Sequence, residues 1–233
     1  MKPKRIAVVT SSRADYGHLY WPLVEMKHSP RIDLRLLVTG AHLEAEYGHT
    51  VDVIRADGFD VEAEIPCFVG SKRDADMGLG IARATEGFTR VLDTLRPDAL
   101  VVIADRYEMM GPALAAMACR IPIVHIEGGE RSEGVIDQVV RDALTMMSHV
   151  HLTTTERAKK RVIAMGVEAW RVHRVGAPSL DHLRRSRLWT REELEAHLGF
   201  ALLRRPSSWG FIRSRWMRIP SPRRTRCTRR SRR

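Results

Sequence analysis

The sequence predicts an α/β fold, a doubly wound, mainly parallel, seven-stranded Rossmann-like sheet within residues 1–200. Short apolar runs rich in β-branched residues recur along the chain, which is typical of strands buried on both faces. Segments with helical periodicity lie in most of the intervals between these runs, as in a parallel sheet covered by helices. The seven predicted strands are Ile6–Val9, Leu34–Val38, Val61–Ile65, Leu100–Ile103, Ile121–His125, Val150–Thr153 and Val172–Val175.

Three of the intervening or following segments are predicted helices. Two show an apolar stripe at helical spacing that would pack on the sheet, and Pro97 would end the second of them. A third, shorter helix is predicted by its ends, because Thr190 and Glu193 have capping-box spacing and Gly199 is the expected helix stop. The two stripes are Leu19, Leu23 and Met26, and Ala82, Thr85, Phe88, Leu92 and Leu95.

The positive charge of the chain is concentrated at one end. The net charge is +11, but residues 201–233 hold twelve arginines and no Lys, Asp or Glu, so residues 1–200 are close to neutral. The composition of the arginine-rich segment, residues 201–233, does not predict a folded structure. A basic tail for nucleic acid and a solvated disordered tail are both open from composition. The predicted division is therefore a folded domain over 1–200 and a disordered tail over 201–233.

Cysteine and hydropathy patterns indicate a soluble cytoplasmic chain, and the cysteine and histidine positions predict no metal site. Cys67, Cys119 and Cys227 are widely spaced and odd in number, which argues against a disulfide framework and a structural zinc site. No apolar run approaches the ~20 residues that span a bilayer. His125 and His151 fall inside strand-like runs, so we do not expect them to bind a metal.

Polar residues gather just after the predicted strands, where ligands bind in open parallel sheets. The segment after the first strand contains Arg13 and Asp15 but lacks the glycine spacing of dinucleotide-binding and P-loop motifs, so NAD and P-loop ATP are not expected. An arginine together with helix N-termini suits a nucleotide diphosphate. The alternative is that Arg13 and Asp15 form an ion pair within the loop.

Two carboxylates close apolar strands, where each needs solvent, a partner or a substrate. These are Asp105 and Glu127, and Asp137 follows at the start of a helix. Together they could act as general acid and general base. The alternative is structural, with Asp105 capping the next helix and Glu127 pairing with Arg106 or Arg131.

The segments after the strands, taken together, resemble the hydrolysing UDP-N-acetylglucosamine 2-epimerases of sialic-acid-type pathways. The resemblance covers residues 4 to about 200, in order and at matching intervals. It is carried by Ser12-Arg13-Ala14-Asp15-Tyr16-Gly17, Asp105-Arg106, His125-Ile126-Glu127-Gly128-Gly129-Glu130, Ile136-Asp137 with Arg141, and Gly176-Ala177-Pro178-Ser179-Leu180-Asp181.

The resemblance implies an activity and a set of site residues. Such enzymes convert UDP-N-acetylglucosamine to N-acetylmannosamine and UDP through a glycal, and need no cofactor. Their two doubly wound domains face each other in the glycosyltransferase-B arrangement, so this chain would be the first domain with the second missing. Asp105, Glu127 and Asp137 match the catalytic acids. Substrate-binding positions are carried over to Arg13, Asp15, Arg106, Glu130, Arg141 and Ser179.

The arginine-rich segment acquires a third interpretation from the resemblance. The family has a His-Pro-Val-Thr motif here, which this chain lacks, but a shifted reading frame over residues 206–217 can spell such a motif after a buried strand. We therefore expect a frame change between about Gly199 and Pro206, and little activity from the 233-residue chain. A glycosyltransferase domain and nucleic-acid binding are the alternatives. The exact N-acetylated sugar nucleotide and a homo-oligomeric state are left open.

Overall fold

The structure, a computed structural model, describes residues 2–70, 73, 75–132 and 136–202. Beyond its first two residues, the arginine-rich segment lies outside the described residues, so its disorder and its reading frame stay predictions. Cys227 lies there as well, while Cys67 and Cys119 are free thiols. Within the described residues, no helix has the length and apolar character needed to cross a membrane.

A seven-stranded parallel sheet forms the centre of the molecule, in the order β3-β2-β1-β4-β5-β6-β7. The predicted fold class is confirmed, and each predicted strand is present with ends that differ by at most two residues. The fifth strand starts later than predicted, after Pro122, which has no N–H to donate. The strands are β1 (Lys4–Thr10), β2 (Ile32–Thr39), β3 (Val61–Ile65), β4 (Ala99–Ile103), β5 (Ile123–Ile126), β6 (Val150–Thr153) and β7 (Val172–Arg174).

Helices cover both faces of the sheet. α3 packs against α4, and α4 in turn contacts α5, whereas α1 packs on β1 and β2 and receives the 3-10 helix Pro178–Leu180. This coverage explains why central strands such as β4 are continuous apolar runs with no solvent-facing side. The helices are α1 (Arg13–His28), α2 (Val51–Ala56), α3 (Ala75–Leu95), α4 (Met110–Ala118), α5 (Asp137–Met147), α6 (Glu156–Ala164), α7 (Asp181–Arg185) and α8 (Arg191–Leu198).

Predicted helix ends agree with the observed capping. α3 ends at Leu95, just before Pro97. At α8 the Thr190 side chain accepts from the Glu193 N–H and the Glu193 side chain accepts from the Thr190 N–H, so the capping box is complete. Gly199 ends α8 in the left-handed conformation, with φ of 74°.

The strand order fixes where a ligand can bind. The chain runs from β1 outward to β2 and β3, and then returns through α3 to pair β4 with the other side of β1. The connections after β1 and β4 therefore diverge on opposite sides, which opens a crevice at the carboxyl ends of these two strands. The polar segments that the sequence analysis places after strands follow β1, β2, β4, β5 and β7, whose carboxyl ends lie at this edge.

Three histidines, His42, His125 and His151, are fully buried. Burial lowers the pKa of each to about 4, compared with about 6.5 for an exposed histidine. The unfolded chain therefore binds more protons than the folded chain between these two values. Stability is complete above about pH 6.5 and is lost as the pH falls.

We predict that the free energy of unfolding decreases between pH 6.5 and pH 4.5. The His125→Gln variant should weaken this dependence by up to ~1.4 kcal/mol per pH unit, the slope that one proton contributes. Urea unfolding followed by circular dichroism at several pH values measures it. An unchanged slope in the variant would contradict neutral burial of His125.

Candidate active site

The loop after β1 is built around the buried carboxylate of Asp15. The Ser12 side chain caps α1 by accepting from the Asp15 N–H, while the Ser11 hydroxyl donates to Asp15 Oδ2 at 2.6 Å. Burial raises the pKa of Asp15, although the hydrogen bond from Ser11 opposes the shift. Arg13 is exposed at the first position of α1. The alternative of an Arg13–Asp15 ion pair is wrong, because the Asp15 carboxylate is buried and accepts from the N–H and hydroxyl of Ser11, whereas Arg13 is exposed.

The connection after β4 adds an ion pair between the partly exposed Arg106 and a buried carboxylate. Arg106 donates to Glu108 Oε1 at 2.7 Å, and the Glu108 side chain has no exposed surface. The charges of both residues influence the pKa of Asp15, so the loops after β1 and β4 are electrostatically coupled. Arg106 therefore lies at the predicted site, held by Glu108.

Arg141 connects Asp105 to the loop after β5. This arginine lies on α5, is 7% exposed, and forms an ion pair with Asp105 through Nη2. Its Nη1 donates to the main-chain carbonyl of Glu127 at 2.7 Å, and Ser132 Oγ lies 3.2 Å from both Nη2 and Asp105 Oδ2. The alternative in which Asp105 serves only as a helix cap is wrong, because its partner is Arg141.

Glu127 follows β5 in a backbone conformation that residues other than glycine rarely adopt. Its φ of 66° lies in the left-handed region, and such strain is concentrated at functional sites. The Glu127 N–H donates to the Leu152 carbonyl at 2.9 Å, which links this residue to β6. Its carboxylate pairs with His18 of α1, not with Arg106 or Arg131 as the structural alternative supposed.

Asp137 is the third of the predicted catalytic carboxylates, at the first position of α5, one turn before Arg141. Burial raises its pKa, and the nearby negative charge of Asp105 raises it further, while Arg106 and Arg141 oppose the shift. Asp105 and Asp137 thus share one electrostatic environment. The fold brings the three predicted carboxylates to the same edge of the sheet.

The two glycines after Glu127 allow close packing, Gly128 against His125 and Thr145 and Gly129 against α6. A side chain at Gly129 would place Cβ 2.4 Å from the Ala158 carbonyl oxygen, and its φ is 84°. Glu130 then accepts hydrogen bonds from Thr154 and Thr155 after β6. A pocket of about 400 Å³ opens beside it, lined by Gly129, Glu130, Arg131, Arg157 and Arg161.

Ser179 lies half-buried in the 3-10 helix Pro178–Leu180 that packs against α1. Among the described residues, no group of His, Cys, Asp and Glu side chains is arranged to hold a metal ion.

Comparison with known proteins agrees with this arrangement. A family model described as UDP-N-acetylglucosamine 2-epimerase matches residues 24–206. The chain belongs to this family.

Curated relatives within the family include two bacterial proteins. The UDP-N,N'-diacetylbacillosamine 2-epimerase (hydrolyzing) of Legionella pneumophila is 40% identical over 197 residues, which are 84% of this chain and 52% of the relative. The UDP-N-acetylglucosamine 2-epimerase of Neisseria meningitidis is 32% identical over 84% of this chain and 51% of the relative. The chain thus spans about half the length of these curated relatives.

Solved structures of epimerases share the fold. The UDP-GlcNAc 2-epimerase from Neisseria meningitidis bound to UDP-GlcNAc superposes with a TM-score of 0.69 at 19% identity, covering 77% of this chain and 48% of that one. The enzyme from Rickettsia bellii gives a TM-score of 0.67 at 22% identity, covering 87% of this chain and 52% of that one. Both match about half of a longer chain.

Some residues of this epimerase-family site were not identified from the sequence. His18 comes directly after the first motif. It lies three residues after Asp15, so helical spacing predicts that both residues are on the same side of α1. Ser132 follows the Gly-Gly-Glu motif closely. Glu108 resembled a surface residue of a polar loop, and only the fold shows that it is fully buried beside Arg106.

We predict that Gly129→Ala destabilises this domain by about 2–4 kcal/mol, since the new Cβ meets main chain and the backbone is left-handed. Gly166→Ala is the matched control, because Gly166 also has positive φ, 100°, but open space around it. It should cost only the backbone strain, about 1 kcal/mol. Chemical denaturation compares the two variants. Equal losses would contradict the close packing of Gly129 on α6.

Proposed function

We propose that residues 1–200 are the first domain of a hydrolysing UDP-sugar 2-epimerase and contribute its catalytic carboxylates. The observation that carries the proposal is the placement of Asp105 and Asp137 beside Arg141, whose other terminal nitrogen donates to the main-chain carbonyl of Glu127, at the carboxyl ends of β4 and β5. This edge is where a doubly wound sheet binds its ligand. The family membership supports the same reaction class.

The chemistry explains why several carboxylates are needed. The C2 proton of UDP-N-acetylglucosamine has no adjacent carbonyl to acidify it, so its removal must accompany cleavage of the C1–O bond to UDP. Positive charge then develops at C1, and nearby carboxylates stabilise it. Water adds to the resulting glycal, its hydroxyl to C1 and a proton to C2 on the other face. The products are N-acetylmannosamine and UDP.

The substrate class is a UDP-linked N-acetylated hexosamine. We propose UDP-N-acetylglucosamine as the substrate. UDP-N,N'-diacetylbacillosamine is the second candidate, favoured by the 40% identity to the Legionella relative that is named for it. The two sugars share the C1 and C2 groups on which this chemistry acts, so the same carboxylates serve either. The predicted substrate-binding residues Arg13, Asp15, Arg106, Glu130 and Ser179 remain part of the proposal.

The second part of the proposal concerns the domain that would form the other half of the active-site cleft. The chain spans about half of its relatives, so a partner domain would hold most of the nucleotide and close the site against water. We propose that a change of reading frame explains the composition of the arginine-rich segment. A sugar-transferring enzyme is not favoured, because transfer does not require the three carboxylates and the family model is that of an epimerase. A cytoplasmic location and the oligomeric state stay predictions.

We predict that the purified 233-residue chain releases UDP from UDP-N-acetylglucosamine at least about a hundredfold more slowly than the full-length Neisseria relative, which is named for this substrate, since half a cleft leaves the developing charge in water. A coupled assay for UDP and chromatography for N-acetylmannosamine measure it, with UDP-N,N'-diacetylbacillosamine tested in parallel. Robust turnover by this chain alone would overturn the proposed need for a second domain.

A fusion of residues 1–200 to the second half of the Legionella relative tests the carboxylates themselves. We expect it to turn over a UDP-sugar, and Asp105→Asn, Glu127→Gln and Asp137→Asn each to lower kcat by about a hundredfold or more. Asp33→Asn is the matched control, because Asp33 pairs with Arg5 and Arg35 near the amino end of β2. Active carboxylate variants would contradict the proposed catalytic set.

A further inference from the structure

His18 forms a contact that the proposed reaction has not yet used. It lies in the second turn of α1, and its Nδ1 lies 2.9 Å from Glu127 Oε1. The two residues are 109 positions apart in sequence, so the contact exists only because the fold brings α1 to the end of β5. The His18 side chain is 38% exposed, and that of Glu127 is 10% exposed.

The surroundings of Glu127 fix its main chain before His18 acts on its side chain. The Glu127 N–H donates to the Leu152 carbonyl, and its carbonyl accepts from Arg141 Nη1. The backbone is therefore held from β6 and from α5 in its left-handed conformation. What is left free is the rotation of the side chain, and the hydrogen bond from His18 to Oε1 restricts it.

We propose that His18 is a positioning residue for Glu127, donating from Nδ1 to one carboxylate oxygen so that the other oxygen is presented to the sugar of a bound UDP-sugar. This inference rests on the proposed function. It assigns His18 no proton transfer at the substrate. Its contribution is a fixed carboxylate that keeps its negative charge where positive charge would develop at C1.

The charged groups around His18 favour this role. The hydrogen bond to Glu127 raises the pKa of His18, burial opposes the shift, and the charge of Asp15 on the same helix adds to it. From α7, His182 Nε2 lies 2.7 Å from the Gly17 carbonyl oxygen. Arg141 acts on the Glu127 carbonyl from the far side. A histidine with a raised pKa carries its proton to higher pH, which preserves the ion pair near neutrality.

A nuclear magnetic resonance titration of the 233-residue chain tests the pair. The His18 ring signals should titrate above pH 6.5 in the native chain, and the midpoint should fall by about 1 unit, a tenfold loss of proton affinity, in Glu127→Gln. Buried His42, on the loop after β2, serves as the internal control and should be unaffected. A His18 midpoint that does not change in Glu127→Gln would overturn the pairing.

Ligand addition distinguishes a positioning role from a merely structural one. Millimolar UDP-N-acetylglucosamine, added to the fusion of residues 1–200 to the second half of the Legionella relative, should move the His18 midpoint by about 0.5 unit, a threefold change in proton affinity, because the sugar engages Glu127, whereas UDP alone should not move it. In His18→Leu the shifts that this sugar nucleotide induces at Glu127 should be lost, and His18→Asn, which keeps a donor near Nδ1, should restore them.

The outcomes separate the two proposals. If signals of Asp105 and Asp137 respond to the sugar nucleotide while His18 and its variants have no effect at Glu127, the positioning role is wrong and the proposed function stands. If neither UDP nor UDP-N-acetylglucosamine moves any signal at the carboxylates of the fusion, which supplies the second domain, the proposed function fails, and with it the positioning role. Thermal unfolding of each variant confirms that it is folded.

Discussion

The buried guanidinium of Arg141 is the interaction on which the candidate site depends. A cation that is almost out of contact with water is costly unless its charge and its donors are matched. Asp105 from the end of β4 compensates the charge of Arg141, while the Glu127 carbonyl from the end of β5 and Ser132 beyond it accept from its terminal N–H groups. Nε of Arg141 is buried without a hydrogen-bond partner among the described residues. Removing Asp105 would leave the charge uncompensated, and removing either neutral acceptor would leave a further buried N–H unpaired, so these contacts hold the loops in one arrangement.

The sheet topology makes this arrangement available. Parallel strands place their carboxyl ends at one edge, and the return of the chain through α3 puts β4 beside β1. The loop after β1, with its Ser11–Asp15 contact, is thereby coupled to the Arg106–Glu108 pair and through it to Asp137. Packing of Gly129 on α6 then directs Glu130 toward β6. Of the proposed catalytic carboxylates, Asp105 is held by the buried Arg141 and Glu127 by the partly exposed His18.

Much of the fold follows from local sequence properties. Strands buried on both faces require apolar β-branched runs, and the ends of α3 and α8 follow from a proline and from capping residues. The edge that binds ligand follows from topology, which is why Asp105, Glu127 and Asp137 could be grouped in advance. The other contacts of the site depend on helical phase and on burial, which become known only with the fold. The His18–Glu127 contact joins residues 109 positions apart, and the buried Asp15 carboxylate is held by Ser11.

A double-mutant cycle on Arg141 and Asp105 tests most directly whether the buried cation organises the site. The free energy of unfolding should fall by about 3–5 kcal/mol in Arg141→Met, and the double variant with Asp105→Asn should lose at least ~1 kcal/mol less than the sum of the single losses. The exposed Arg90–Glu86 pair of α3 provides the control cycle, with a coupling of about 0.5 kcal/mol or less. Additive losses at Arg141 and Asp105, within about 0.5 kcal/mol, would contradict the account.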